Sequence, residues 1–329
     1  MMQLSRMSLA RACAFLLVIG FCGTAQAQAK DYPSREIKII VPYAPGGPDD
    51  LIGRIIAKKL AEMWKQPVVV YNRPGVGGTI GMDAAAKAPP DGYTIAVGDP
   101  GQLAIAPGIY AKLPYHPLHD LTPVANVALL PYVLAVNPNV PAKSVKELIE
   151  LAKSRKNPMT YGSTGTGGAN DLSVRLFESL AGIKLLQVPY QGAAAYVSAL
   201  LAGQIDMAIT DLSATAPLAK AGKLRLLAAT TSKRLGAAPQ LPTMVEAGVK
   251  GYAVDIWIGI VAPAGTPKSI VSKLNSAIDS ALKSTDVQQH FHQLGYTAIG
   301  GTPEQFAATI AADTAKYGRI IKDANISPR

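Results

Sequence analysis

Cysteine is almost missing from this chain. Its two cysteines, Cys13 and Cys22, both fall within the first 27 residues, a stretch that reads as a cleaved leader. The mature protein is therefore expected to have none. Thiol nucleophiles and cysteine metal sites are excluded, and an apolar core must hold the fold without disulfides. Histidine is also scarce, at four residues. His116 and His119 lie in a proline-rich stretch with no helix to align them. His290 and His292 are two apart on an expected helix and so point in different directions. Neither pair has zinc spacing. No Gly-Lys-Ser/Thr closes a glycine loop and no Gly-x-Ser-x-Gly elbow occurs. Gly162 to Gly168 spaces its glycines as Gly-x-x-Gly-x-Gly-Gly, which is not a dinucleotide fingerprint, and no matching ribose acid is evident. Charged residues make up only 16%. The net charge is +10, but the basic residues are scattered, and Lys153, Arg155 and Lys156 are the densest group. No basic stripe with interleaved aromatics appears, which argues against nucleic acid as a partner.

Outside the leader no apolar run approaches the ~20 residues that a membrane-spanning helix needs. The leader itself has Arg6 and Arg11, an apolar run from Ala12 to Cys22, and Ala25-Gln26-Ala27 as small residues around a cleavage point. This is a secretory signal pattern, with cleavage expected after Ala27 and the periplasm as destination. Bulky Phe21 before Cys22 argues against lipoprotein processing. Hydrophobic residues make up 49%, a globular composition.

Short β-rich runs alternate with helical periods, the signature of an α/β fold. Strands are expected at Ile37 to Pro42, Val68 to Tyr71 and Tyr93 to Gly98. A second series is expected at Tyr132 to Val136, Met159 to Gly162, Leu185 to Val188, Ile205 to Thr210 and Leu224 to Thr230, and a tail strand at Trp257 to Ala262. Ser144 with Glu147, and Thr302 with Gln305, form helix-opening capping boxes. The last helix should bury Phe306, Ile310, Tyr317 and Ile321. Val136-Asn137-Pro138 through Val145 echoes Val261-Ala262-Pro263 through Ile270, which suggests two similar halves. No Pro-, Gly- or Ser-rich linker separates them, so the chain is expected to cross between lobes more than once. The expected division is a leader over 1–27, a first lobe over 28–124 and 229–329, and a second lobe over 125–228.

Two strand-to-helix turns dominate the middle of this pattern: Ala44-Pro45-Gly46-Gly47 and Ser163-Thr164-Gly165-Thr166-Gly167-Gly168. Glycine lets a ligand approach the main chain. A helix N-terminus offers free N–H groups and partial positive charge, so each turn is a candidate anion site without a cationic side chain. In open α/β sheets such turns lie at the carboxyl ends of the strands, where ligands bind. Two such turns, one in each half, can face each other across a cleft. Asp49 is expected as a helix cap.

These residues resemble a known family, the extracytoplasmic receptors of tripartite tricarboxylate transporters, or Bug family. The resemblance runs along the mature chain through Tyr32-Pro33-Ser34-Arg35, Ile40-Val41-Pro42-Tyr43-Ala44-Pro45-Gly46-Gly47, Asn72-Arg73-Pro74-Gly75-Val76-Gly77-Gly78 and Pro90-Asp91-Gly92-Tyr93-Thr94. It continues through Val188-Pro189-Tyr190-Gln191-Gly192, Ala262-Pro263-Ala264-Gly265-Thr266-Pro267 and Gly300-Gly301-Thr302-Pro303-Glu304. The resemblance implies a type II-like two-lobe, flytrap-shaped binding protein, each lobe a mixed sheet flanked by helices. It implies capture of a small organic carboxylate (a dicarboxylate, an aromatic carboxylate or an amino-acid-like acid), delivery to membrane transporter subunits, no catalysis and no cofactor. By position it implies ligand contacts from Tyr43, Ala44, Gly46, Gly47, Asp50, Asp99 and Gln102 in the first lobe. The second lobe would add Ser163, Thr164, Thr166, Gly167, Gly168, Tyr190 and Asp211.

The sequence departs from the family pattern at Pro48-Asp49, where Gly-Thr is commoner, at Asp99-Pro100, at Gly167-Gly168-Ala169 and at Gln191. Asp99 is expected to face the far end of the ligand and to favour a hydrogen-bond donor there. The chain is read as a monomer. A sensor kinase is a further partner class for such a binding module, and an exported hydrolase on the same fold is the rival reading.

Overall fold

A computed structural model describes residues 32–323, apart from 253, and residue 326. The expected leader lies outside the described residues. The first lobe begins with β1 (Ile37–Val41), α1 (Pro48–Trp64), β2 (Val68–Asn72), α2 (Thr79–Ala86) and β3 (Thr94–Gly98). A π-helical turn over Gly101–Ile105 then runs into α3 (Ala106–Ile109), and β4 (Leu121–Leu130) follows. The second lobe consists of β5 (Tyr132–Val136), α4 (Val145–Ser154), β6 (Met159–Ser163), α5 (Ala169–Ala181), β7 (Leu185–Pro189), α6 (Ala193–Leu201), β8 (Met207–Asp211), α7 (Leu212–Lys220) and β9 (Arg225–Ala229). The chain then returns to the first lobe with β10 (Ile256–Pro263), α8 (Lys268–Leu282), α9 (Thr285–Leu294), β11 (Thr297–Ala298) and α10 (Pro303–Asp323).

The first sheet has the order β11-β4-β10-β3-β1-β2, and the second has β7-β6-β8-β5-β9. Each contains a parallel trio, β2-β1-β3 in the first and β7-β6-β8 in the second, extended by antiparallel strands. This is the expected two-lobe α/β architecture, with mixed sheets flanked by helices. Strands β5, β8 and β10 are buried at every position, as central strands covered on both faces should be. Ile37, Ile39, Val97, Ile56 and Leu60 pack the first lobe, and Leu134, Met159, Tyr161, Phe177 and Ile209 pack the second.

Local signals act as their chemistry requires. Ser144 Oγ accepts from Glu147 N–H, and the Glu147 carboxylate accepts from Lys143 N–H. Thr302 Oγ1 accepts from Gln305 N–H and Gln305 Oε1 from Thr302 N–H, and Phe306, Ile310, Tyr317 and Ile321 are buried.

The crossings between lobes differ from those expected. Strand β4 pairs with β10 along its whole length, from Leu121 against Pro263 to Leu130 against Ile256. Residues 125–130 therefore belong to the first sheet, and the chain crosses at Pro131. Pro123 and Asn126 interrupt the β-like pattern of this strand, which hides it from a sequence reading. After β9 the chain remains with the second lobe. Ala229 N–H donates to the Pro242 carbonyl, Met244 N–H to the Ala229 carbonyl, and Thr230 N–H to the Tyr132 carbonyl. The return therefore comes at β10, well after residue 229. The π-helical turn was not anticipated either, because Asp99-Pro100-Gly101 reads as punctuation.

Candidate functional site

Both glycine turns lie where a parallel strand ends and a helix begins. Gly47 is the N-cap of α1 and Gly168 the N-cap of α5. A third helix, α6, starts at Gly192 after β7. None of the three has a side-chain cap hydrogen bond, so their first-turn N–H groups depend on other partners. All three starts reach one cavity between the lobes, which is lined by Tyr43, Gly47, Pro48, Asp49 and Asp99 from the first lobe. Tyr132, Thr164, Ala169, Asn170, Ala193 and Tyr196 line it from the second.

The lobes are pressed together around this cavity, whose volume is about 20 Å³, roughly the room of one water. Ala44 N–H donates to the Gln191 carbonyl at 3.1 Å, and the Tyr110 hydroxyl donates to the Thr166 carbonyl. At Gly77, with φ +63°, an added Cβ would lie 2.7 Å from the Thr166 carbonyl oxygen. Only the absence of a side chain there lets the two main chains meet. A wider outer cleft of about 420 Å³ adjoins the cavity, sharing Gly47, Pro48 and Ala193 with it and adding Asp50, Arg54, Asp211, Ser213 and Tyr296. No organic acid fits the inner cavity unless the lobes separate, so entry and release require lobe motion.

The two turns are built alike. Asp50 Oδ2 accepts from Gly46 N–H at 3.0 Å and from Arg54 Nε at 2.9 Å, and its Oδ1 accepts from Asn72 Nδ2 at 2.9 Å. Asp171 Oδ2 accepts from Gly167 N–H at 3.0 Å and from Arg175 Nε at 2.9 Å, and its Oδ1 accepts from Gln187 Nε2 at 2.8 Å. In each lobe a carboxylate holds the turn four residues before it, an arginine four residues after it, and an amide from the neighbouring strand. The sequence carries this constellation as Gly-Gly-x-x-Asp-Leu-x-x-Arg, at 46–54 and again at 167–175. This repeat is closer than the echo between residues 136–145 and 261–270.

The repeat changes the roles of several anticipated residues. Asp50 acts as a clamp: burial pushes its carboxyl up, but Arg54, Asn72 and Gly46 outweigh this and hold it below the usual range. Asp49 is not a helix cap. Gly47 caps the helix, Pro48 follows, and Asp49 stands in the first turn facing the cavity.

Of the anticipated contacts, Tyr43, Gly47, Asp99 and Thr164 line the inner cavity. Gly46, Asp50 and Asp211 line the outer cleft. Gln102 stands behind the cavity wall, where its Nε2 donates to the Tyr43 hydroxyl at 2.6 Å and its Oε1 accepts from Asp99 N–H at 3.0 Å. Ser163 Oγ is taken up by Gly165 N–H and Gln187, and the Thr166 hydroxyl donates to Gln187. Gly167 and Gly168 shape the second turn, Ala44 bridges the lobes, and Tyr190 packs beside α6. Asp49, Asn170, Tyr132, Ala193 and Tyr196 were not anticipated as lining residues. The repeat itself would have pointed to Asp49 and Asn170.

Asp99 Oδ2 accepts from the Tyr43 hydroxyl at 3.0 Å and its Oδ1 from Gly101 N–H at 2.5 Å. Burial raises its pKa to about 6 in spite of these bonds. Burial, and then the Asp99 charge, push Asp49 well above the usual carboxylate range. Asp211 caps α7 through Ser213 and accepts from the Tyr296 hydroxyl, and burial raises it to about 6.

Residues 52–326 match the model for the Tripartite tricarboxylate transporter family receptor. BugT of Bordetella pertussis is 35% identical over 314 residues, covering 94% of this chain and 96% of its own. Among solved structures, R. palustris Rpa4515 with adipate superimposes with a TM-score of 0.87 at 36% identity, covering 91% of this chain and 100% of its own. MatC from Rhodopseudomonas palustris with bound malate gives 0.85 at 31% identity, covering 88% and 100%. This chain belongs to the tripartite tricarboxylate transporter receptor family, whose members are periplasmic solute-binding proteins.

Proposed function

We propose that this protein is exported to the periplasm, holds a small organic carboxylate between its lobes, and delivers it to the membrane subunits of a tripartite transporter. The observation that carries this reading is the convergence of three uncapped helix N-termini, from both lobes, on one cavity. Each N-terminus favours a nearby anion by about 0.3–1 kcal/mol, and by up to ~2 when partly buried. Each charge-assisted hydrogen bond adds about 1.5–3 kcal/mol. Together these approach the ~8 kcal/mol of micromolar binding before association costs are subtracted. Both lobes supply donors, so an anion favours the form in which both touch it, and this difference in affinity drives closure. The two relatives with adipate and malate support a carboxylate as the ligand class.

The test is thermal stabilisation of the purified protein by a panel of mono-, di- and aromatic carboxylates, with chemical analysis of each acid after incubation. A rise in melting temperature with the acid unchanged is expected. No shift with any acid would sink the receptor reading, and turnover of an acid would favour the exported hydrolase.

A further inference from the structure

Beside the uncapped helix starts that reach the inner cavity stand two acids that an anion seat does not need. Asp49 and Asp99 are each 4% exposed and both line the cavity. No Lys, Arg or His is among the lining residues, so no cationic side chain answers them there. Asp99 is held by Tyr43 and Gly101. Asp49 is held less fully: its Oδ1 is buried without a hydrogen-bond partner among the described residues. A buried carboxylate oxygen left unpaired is costly, and a ligand that donates to it removes that cost.

The internal repeat sharpens this contrast. The residue matching Asp49 in the second lobe is the neutral Asn170, and it is satisfied. Its Oδ1 accepts from Thr164 N–H and the Thr164 hydroxyl, and its Nδ2 donates to the Gly162 carbonyl. Pro48 stands where the second lobe has Ala169, so the α1 start also lacks one N–H. The α5 and α6 starts keep their donors for an anion, while the α1 start carries an acidic side chain into the cavity.

We propose that Asp49 and Asp99 form a seat for a protonated nitrogen, so that the ligand is a carboxylate that also carries an ammonium-type group. This rests on the carboxylate-receptor reading and narrows it. A dicarboxylate would bring a second negative charge against two buried acids. A zwitterion places its carboxylate at the α5 and α6 starts and its nitrogen between Asp49 and Asp99.

The probes are two matched pairs: adipate against 6-aminohexanoate, and malate against aspartate. Binding to the full mature protein is measured by titration calorimetry. In at least one pair the nitrogen-bearing member should bind tenfold or more tightly than its partner. The variant D49N, which places in the first lobe the residue found in the second, should lose most of that preference while binding the nitrogen-free member as well or better. Its melting temperature should be no lower than that of the wild type, which shows that the change in preference is not a folding defect. A wild-type preference for the nitrogen-free member in both pairs, or an unchanged preference in D49N, overturns the nitrogen seat and leaves the receptor reading standing. No binding by any of the four, together with no stabilisation across the wider panel, overturns both.

Discussion

The two strand-to-helix turns that face each other across the cleft share one construction and differ in what they present to the cavity. Both use an aspartate clamped by a glycine N–H, an arginine and a strand amide. The second is the more deeply set. Asp171 is fully buried and Arg175 is 19% exposed, against 6% and 53% for Asp50 and Arg54. Asp171 also accepts from the Tyr161 hydroxyl at 2.7 Å. The first turn, by contrast, keeps on its cavity side an acid, Asp49, whose Oδ1 has no hydrogen-bond partner among the described residues. The clamp is therefore what a turn of this type needs in order to stand, and the residues between the second glycine and the clamp are free to set selectivity.

The largest expected effect separates the two clamps. Asp171→Ala leaves the mostly buried Arg175 without its partner and strips Gly167, Gln187 and Tyr161 of an acceptor. Breaking a buried pair in this way costs about 3–5 kcal/mol. Asp50→Ala leaves an arginine that already reaches solvent, so about 1–3 kcal/mol is expected from the lost buried bonds. Urea unfolding of both variants measures the difference. Equal losses would mean that the second turn is no more deeply anchored than the first.

The next effect concerns where the turns meet the opposite lobe. The second turn presses on main chain at Gly77, while the first turn meets the Gln191 carbonyl through Ala44 N–H and the side chains of Ala193 and Ala194. A methyl at Gly77 collides with the Thr166 carbonyl only in the closed form, and the left-handed φ adds about 1–2 kcal/mol of strain in either form. Gly77→Ala should weaken binding of the most strongly stabilising acid by tenfold or more, as read by calorimetry. An unchanged affinity would show that ligand-bound lobes do not approach this closely.

Most of the framework was legible in the sequence, because the apolar periods of β1, α1, α5 and α10 and the paired capping residues are local signals. The glycine turns were legible for the same reason. What escaped was decided by partners distant in sequence. Strand β4 exists because β10 returns to pair with it, and the start of α6 reaches the cavity only because the second lobe folds over the first. Asp49 was misread because an aspartate near a helix start is most often a cap. Here Gly47 is the cap and Pro48 the first helical residue, so the Asp49 carboxylate falls inside the first turn, its Oδ1 without a hydrogen-bond partner among the described residues. Asp50 matches the family pattern as a ligand contact, and its bonds to Gly46, Arg54 and Asn72 give it a clamping role that only the folded chain reveals.

The smallest effect, and the most direct comparison of the turns, comes from exchanging their cavity-facing residues. Asp49→Asn removes an unpaired buried carboxylate and should raise stability at pH 7 by about 1–3 kcal/mol. Asn170→Asp should lower it by a similar amount, because a carboxylate oxygen replaces the amide that donates to the Gly162 carbonyl. The pH dependence follows from the direction of the shifts. Burial raises Asp49, and raises Asp99 and Asp211 to about 6, in the folded chain. Between about pH 4, where such acids titrate when unfolded, and pH 6, the folded chain binds more protons. Stability should therefore rise as pH falls from 7 to 5. Asp50 has the opposite shift, so its contribution is lost only as pH falls below about 4. Melting temperatures of the ligand-free protein at pH 7 and pH 5 should show the rise. The rise should be smaller in Asp49→Asn, where one of the three acids is gone, and larger in Asn170→Asp, which adds a buried acid of the same kind. If both variants followed the wild-type curve, residues 49 and 170 would be open to solvent in the ligand-free protein, and the closed cleft would form only around a ligand.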